Sequence, residues 1–203
     1  VGRDAGVLVM GKHSGRRAFR KTLTDLGYGS IDDERLNAVF TQFKELCDRK
    51  SAVTNEDIRA LVDTETRRVP ESYRLHSVQF QSGTNLMPVA TIALETDTGL
   101  HTHAATGDGP VDAVYRAIEA ISGLSMVLDD YEIRSVGSGK DALGEVTIRV
   151  REGSRTVQGK GLSTDILEAS AKAYVDVLNR LASGQAHAAA EKRALAQEGV
   201  ARP

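Results

Sequence analysis

An internal repeat constrains the fold of this chain more than any other feature. Residues 73–117 align with residues 129–173 at a constant offset of 56 positions. The matched residues include Ser82 and Gly83 with Ser138 and Gly139, Thr91 and Ile92 with Thr147 and Ile148, and Ala113 with Ala169. A repeat of this length indicates one supersecondary unit present twice. Two such units, related by an approximate two-fold axis, leave a seam in which a ligand or a second subunit can bind.

Each copy has the pattern of three strands followed by one helix. Apolar residues alternate with polar ones in the middle of each copy, which is typical of a half-buried strand, and a turn sequence follows. Apolar stripes with helical spacing close each copy. The strands are predicted around residues 90–95 and 146–151, the hairpin turns at 97–99 and 152–154, and the helices over 110–121 and 164–181. The sequence therefore predicts an α+β fold with two tandem strand-strand-strand-helix units.

Three short helices are predicted before the repeat. Ser14 is the expected N-cap of the first helix and Gly27 its C-terminal stop. Asp32 and Asp33 open the second helix, and Thr54 caps the third. The predicted organisation is a helical subdomain over residues 1–63, a linker over 64–72, a regulatory domain over 73–183 and a tail over 184–203.

Composition excludes several classes of partner. The formal net charge of -2 removes the electrostatic reason to expect nucleic acid or anionic lipid. No apolar run is long enough to span a membrane, and no signal peptide is recognisable. The one cysteine, Cys47, is expected to be a small buried apolar residue, and its isolation fits a reducing, cytoplasmic location. Because the chain begins at Val1 rather than methionine, we expect a fragment of a longer protein.

The glycine-rich segment at residues 107–113 is the best candidate for ligand binding. It consists of Gly107, Asp108, Gly109, Pro110, Val111, Asp112 and Ala113. Proline at the first position of a helix presets the backbone, and the free N–H groups at a helix start attract a carboxylate. Because the two aspartates could meet a positive group, the segment suits a zwitterion such as an amino acid. A plain tight turn with a helix cap is the alternative.

The histidines offer two further candidates. His101 and His103 share a face of a strand, but no third zinc ligand is identifiable, so we predict no metal site and expect ordinary strand histidines. His13 lies at a glycine-flanked helix start beside Lys12 and Arg16. It could perform acid–base work on an anionic substrate, or it could be an exposed histidine in a capping loop.

Long motifs in the chain resemble the C-terminal part of 2-isopropylmalate synthase. The motifs lie at residues 11–16, 26–28, 105–113, 141–146 and 163–174. The resemblance implies an enzyme of leucine biosynthesis that condenses acetyl-CoA with 3-methyl-2-oxobutanoate. It places the chemistry on a TIM barrel with a divalent metal, which this chain lacks. We therefore expect no cofactor here, and no activity from this chain alone.

The same resemblance implies a role for particular residues. It makes the chain a homodimerising regulatory region that binds leucine as effector. His13 and Tyr28 would assist the barrel of the partner subunit in the full-length dimer. The effector site would combine residues 107–113 with Tyr131, Asp141, Ala142 and Asp165 of the second unit. The alternatives are the same region of a citramalate synthase responding to isoleucine, or a dimerisation module that binds no effector.

Overall fold

Five helices and six strands make up the part of the chain that the structure describes. A computed structural model describes residues 10–11, 13–137, 139 and 141–200, with side chains through residue 184. The elements are α1 (Arg16–Asp25), α2 (Asp33–Arg49), α3 (Asn55–Thr66), β1 (Arg74–Gly83), β2 (Leu86–Thr96), β3 (Gly99–Thr106), α4 (Pro110–Ser122), β4 (Val127–Val136), β5 (Leu143–Glu152), β6 (Arg155–Ser163) and α5 (Ile166–Val200). The predicted α+β fold, with two strand-strand-strand-helix units after a helical part, is confirmed.

The starts of α2 and α3 follow the predicted capping chemistry. Asp32 accepts a hydrogen bond from the Arg35 N–H at 2.8 Å, which satisfies one of the free donors at the start of α2. Thr54 and Asp57 form a capping box at the start of α3. Both helices therefore begin where their caps predict.

The N-cap prediction for α1 was wrong by one residue. Gly15 occupies the N-cap position, and no side chain bonds to the helix start. Ser14 instead closes a turn, since its N–H donates to the Gly11 carbonyl at 2.9 Å. Gly27 lies just after the helix with φ +95°, a left-handed conformation that glycine adopts without strain. The predicted stop of α1 is confirmed.

The two units form separate antiparallel sheets, ordered β1-β2-β3 and β4-β5-β6. Leu75 faces Leu94 in the first sheet, and Leu128 faces Val150 in the second. The second strands thus correspond at an offset of 56, but the first strands correspond at 53. The prediction that one offset holds through every element was wrong for this strand. The reason is a longer connection, residues 137–142 against residues 84–85; Ser138 itself lies outside the described residues.

Helices α4 and α5 pack against each other and against the two sheets, so that both units share one apolar core. The inward-facing residues of the middle strands, β2 and β5, contribute Ala90, Ile92, Leu94, Val146, Ile148 and Val150 to this core. Helix α5 begins at Ile166 and continues to Val200, far beyond the predicted end at residue 181. The stretch expected as a tail is therefore helical through Val200.

The N-terminal helices pack against the second unit. Their core, built around Phe19, Phe43 and Ile58, includes Val136, Leu143 and Leu162 from that unit. Cys47 is only partly buried at the edge of this core, where the prediction had it fully buried. The helical part and the second unit therefore form one packed body.

The predicted linker is well held. Helix α3 continues to Thr66, and the hydroxyls of Thr64 and Thr66 donate to carbonyls one turn earlier. After the helix, the Asn179 side chain accepts from the N–H groups of Ser72 and Tyr73 at 2.8 Å and donates to the Tyr73 carbonyl at 2.9 Å.

Among the described helices, none has the length and apolar character needed to cross a bilayer.

Candidate functional site

A cavity of about 690 Å³ lies at the seam between the two units. One wall is the face of α4 that carries Gly109, Val111, Asp112, Tyr115, Arg116 and Glu119. The other wall is formed by Leu128 and Tyr131 of β4, by Met126 just before that strand, and by Tyr174 of α5. We call this space the seam cavity. Both units contribute to it, as the repeat predicts.

The start of α4 borders the seam cavity and has no side-chain cap. Gly109 is the N-cap residue, and Pro110 occupies the first turn. A Cβ at Gly107 would lie 2.7 Å from Asp112 Oδ2 and 2.8 Å from the Asp112 carbonyl carbon, so only glycine allows the loop to approach the helix this closely. Because no side chain caps α4, the N–H groups of its first turn are available to an anion.

Asp112 and Arg116 place opposite charges on this wall. Asp112 Oδ2 accepts a hydrogen bond from the Asp108 N–H at 2.9 Å and pairs with Arg116 Nε at 2.9 Å. Both side chains are about half exposed. The wall can therefore meet either charge of a zwitterion.

Tyr115 and Tyr174 join α4 to α5 across the seam. Their rings stack with centroids 4.3 Å apart. Tyr174 Oη donates to Glu119 Oε1 at 2.6 Å, and the same oxygen accepts from the Met126 N–H at 3.0 Å. Burial, and then the Glu119 carboxylate, raise the pKa of Tyr174, which keeps its hydroxyl protonated.

Tyr131 reaches the seam from β4. Ser170 Oγ donates to the Ile166 carbonyl at 2.6 Å, so the 2.7 Å bond between Tyr131 Oη and Ser170 Oγ has the tyrosine as donor. Tyr115 Oη, close by, has no hydrogen-bond partner among the described residues. Three tyrosines thus give the cavity an apolar, aromatic wall with hydroxyls at its depth. Such a cavity suits a small molecule with an apolar body and a carboxylate.

Comparison with known proteins assigns most of the chain. Residues 52–182 match the family model described as the LeuA allosteric (dimerisation) domain. The chain belongs to this family. Residues 1–51 match a second model, the homocitrate synthase post-HMGL domain-like family. The seam cavity lies wholly within the LeuA allosteric (dimerisation) domain.

The similar curated proteins are named 2-isopropylmalate synthase. The protein of Pelotomaculum thermopropionicum is 47% identical over 182 residues, which cover 89% of this chain and 36% of that protein. The protein of Carboxydothermus hydrogenoformans is 48% identical with the same coverage. The Thermus thermophilus protein is 44% identical over 92% of this chain and 56% of its own length. The chain thus spans about a third to a half of these relatives.

The structure brings four of the predicted effector residues together at the seam cavity, namely Gly109, Val111, Asp112 and Tyr131. Gly107, Asp108 and Pro110 shape the loop and helix start beside them. Ala113 is buried, and its N–H donates to the Gly109 carbonyl at 3.0 Å. Residues 107–113 therefore include part of one wall of the seam cavity and the loop and helix start that hold this wall in place.

The other three predicted effector residues lie away from the seam cavity. Asp165 caps α5, since its Oδ1 accepts from the N–H groups of Leu167 and Glu168. Asp141 accepts from the Ser51 N–H at 3.1 Å and from the Ser51 hydroxyl at 2.9 Å. Ala142 follows in the same loop. Asp141 and its loop therefore connect the second unit to the helical part.

The predicted accessory residues both lie in the helical part. His13 is exposed in the turn before α1. Tyr28 Oη donates to Asp63 Oδ1 at 3.3 Å, and burial together with this carboxylate raises the pKa of Tyr28. Their role beside a barrel stays a prediction.

His101 and His103 are exposed on β3, and His101 Nε2 lies 2.8 Å from Thr98 Oγ1. No group of three or more His, Cys, Asp or Glu side chains within the described part of the chain is placed to hold a metal ion.

Sequence reasoning missed Tyr115, Glu119 and Tyr174 as cavity residues. All three lie within the helices predicted over residues 110–121 and 164–181. One signal was present, because Tyr115 and Glu119 stand four residues apart and so share a face of α4. That face meets the second unit, which only the packing of α4 against α5 reveals.

Proposed function

We propose that this chain is the regulatory and dimerisation region of a 2-isopropylmalate synthase, and that leucine bound in the seam cavity inhibits the parent enzyme. The parent would condense acetyl-CoA with 3-methyl-2-oxobutanoate in the cytoplasm, on a barrel with a divalent metal. The family membership and the names of the relatives support the parent enzyme. The seam cavity supports the effector.

The observation that carries the proposal is a cavity with an uncapped helix start at one end and an apolar, aromatic lining. The carboxylate of leucine would accept hydrogen bonds from the N–H groups at the start of α4. Asp112, on the first turn, would attract the ammonium group. The branched side chain would lie against Val111, Met126 and Leu128. An amino acid with a polar side chain would leave polar groups unpaired against this wall.

The dimer would form through apolar side chains that a single chain leaves uncovered. Large exposed apolar residues occur on β1, β2, β3 and β4, at Phe80, Leu86, Met87, Leu100, Val127, Leu128 and Ile133. Exposed apolar groups of this size mark interaction surfaces. Leu128 also lines the seam cavity. A partner subunit that covers Leu128 would therefore narrow the opening of the cavity, which would link dimerisation to effector binding.

His13 and Tyr28 would act beside the barrel of the partner subunit. The packing of the helical part against the second unit supports this, since a movement of the second unit would move the helical part with it. The chain alone would have no condensing activity, because the barrel supplies the metal and the keto-acid site.

The proposal is tested by calorimetric titration of the 203-residue chain with leucine, isoleucine and valine. Leucine at about 100 times its Kd should stabilise the fold by about 2.7 kcal/mol. Asp112→Ala should weaken leucine binding, whereas Asp97→Ala, an exposed acid in the turn between β2 and β3, should leave it unchanged. If isoleucine binds and leucine and valine do not, the parent enzyme would instead be assigned as a citramalate synthase. A dimer by light scattering that binds none of the three would be a dimerisation module only.

A further inference from the structure

The hydroxyl of Tyr115 is the unsatisfied polar group of the seam. Tyr115 is 6% exposed, and its Oη finds no hydrogen-bond partner among the described residues. Nearly all buried hydroxyls in proteins are hydrogen-bonded, because a buried donor without a partner is costly. The ring stacks on Tyr174, with the two centroids 4.3 Å apart.

The neighbouring polar groups already have hydrogen-bond partners. Ser170 Oγ donates to the Ile166 carbonyl and accepts from Tyr131 Oη; it lies near enough to Tyr115 to lower the pKa of that hydroxyl, but it does not meet the geometry of a hydrogen bond with it. The Glu119 carboxylate takes the hydroxyl of Tyr174 and the N–H of Met126. The second tyrosine of the stack is therefore satisfied where Tyr115 is not, although both line the same cavity.

The chemistry of Tyr115 fits a donor to a negative or carbonyl oxygen. Burial raises the pKa of Tyr115, with a smaller contribution from Tyr131 and an opposing one from Ser170, so the hydroxyl keeps its proton at neutral pH. Side chains on a helix lean toward its N-terminus. From Tyr115 that direction leads toward the uncapped start of α4, where the effector carboxylate is placed above.

We propose that Tyr115 Oη donates a hydrogen bond to the carboxylate of the bound amino acid, which makes Tyr115 a specificity-determining residue of the effector site. This inference rests on the proposed function. Atoms around the hydroxyl oxygen cover it in the structure, so α4 and α5 must separate slightly for a ligand to reach it. Effector binding then satisfies a donor that the protein itself leaves unpaired, and it does so by moving the contact between the two units.

The test compares Tyr115→Phe with Tyr174→Phe in the full 203-residue chain. Tyr115→Phe removes a hydroxyl that has no partner, so without added leucine its Tm should rise by roughly 2–4 °C. Its affinity for leucine should nevertheless fall about tenfold. Tyr174→Phe breaks the bond to Glu119, so its Tm should fall. A role limited to packing would not separate stability from affinity in this way.

A second ligand identifies the atom involved. Isoamylamine carries the leucine side chain and ammonium group without the carboxylate. The loss of affinity on replacing leucine by isoamylamine should be about tenfold smaller in Tyr115→Phe than in the wild type.

Each result decides between the two proposals. If leucine binds the wild type and Tyr115→Phe equally well, or if Tyr115→Phe lowers the Tm, the role of Tyr115 is overturned and the effector site stands. If none of the branched amino acids binds the wild type, the proposed function is overturned and the role of Tyr115 with it.

Discussion

Lys50 Nζ lies 2.7 Å from Asp57 Oδ2, with the two side chains only 1% and 0% exposed. Asp57 also accepts from the N–H of Thr54 at 2.8 Å, so its carboxylate closes the loop between α2 and α3. Gly137 lies directly over the pair with φ +80°, and a Cβ there would be 3.2 Å from both Lys50 Nζ and Asp57 Oδ1. The ion pair is therefore buried where the helical part meets the second unit.

Removal of one member of this pair should be severe. Asp57→Ala leaves the Lys50 ammonium buried without its counter-charge and also removes the capping box of α3. We expect a loss of about 3–5 kcal/mol in the free energy of unfolding, measured by urea denaturation. Asp32→Ala is the matched control, because Asp32 caps α2 at an exposed position; it should cost only about 1 kcal/mol. Equal losses in the two variants would show that burial of the pair contributes nothing.

The capping chemistry around this pair was readable from the sequence, and the pair was not. Thr54 and Asp57 have the spacing of a capping box, so the start of α3 could be placed correctly. Lys50 follows the last residue of α2, and nothing in its sequence neighbourhood indicates that it is buried. Gly137, which covers the pair, comes from a distant part of the chain. Local signals predict where a helix begins, but not what covers it.

Acid should weaken two contacts between the helical part and the second unit. The N–H and hydroxyl of Ser51 lower the pKa of Asp141. For Glu168, burial raises the pKa, but Lys172, Arg49 and Ser163 outweigh it and the pKa is lowered. A carboxyl with a depressed pKa in the folded state contributes stability above its unfolded pKa, about 4, and loses it as the pH falls through the folded value. Stability from both contacts is therefore present at pH 6 and lost below about pH 4.

Hydrogen exchange at the Ser51 amide measures this effect directly. Protection of this amide in the wild type should exceed that in Asp141→Asn at pH 6, and the difference should narrow as the pH falls below about 4. Asp97→Asn, in the exposed turn between β2 and β3, should match the wild type throughout. A difference between wild type and Asp141→Asn that stays the same from pH 6 down to the pH at which the protein unfolds would contradict the assignment.

The candidate site shows the same division between local and distant information. Local chemistry at residues 107–113, together with the family resemblance, predicted a ligand site, and part of this segment lines the seam cavity. The repeat placed Tyr131 in the second unit, and β4 does bring it to the cavity. Asp141 and Asp165 were assigned to the same site by resemblance, yet they bond to Ser51 and to the start of α5. The longer connection before β5 carries Asp141 to the helical part, which a single offset for the repeat conceals.

The two copies of the repeat also differ in how closely a helix packs on its sheet. In the second unit, a Cβ at Gly159 would lie 2.6 Å from Val177 Cγ2, and one at Gly161 would lie 2.6 Å from the Ala173 nitrogen. In the first unit the residue that corresponds to Gly159 is the exposed His103. Two glycines thus let α5 lie directly on β6.

Gly161→Ala should force α5 away from β6. The added methyl group has backbone atoms of the helix as its neighbours, and these cannot turn aside as a side chain can. We expect a loss of about 3 kcal/mol in the free energy of unfolding, measured by urea denaturation. Gly184→Ala is the matched control, because Gly184 lies on the same helix with nothing within 4 Å of its Cβ position; it should gain about 0.5–1 kcal/mol, since alanine favours the helix. If the two substitutions changed stability in the same direction, the close packing of α5 on β6 would not be the reason for the glycines.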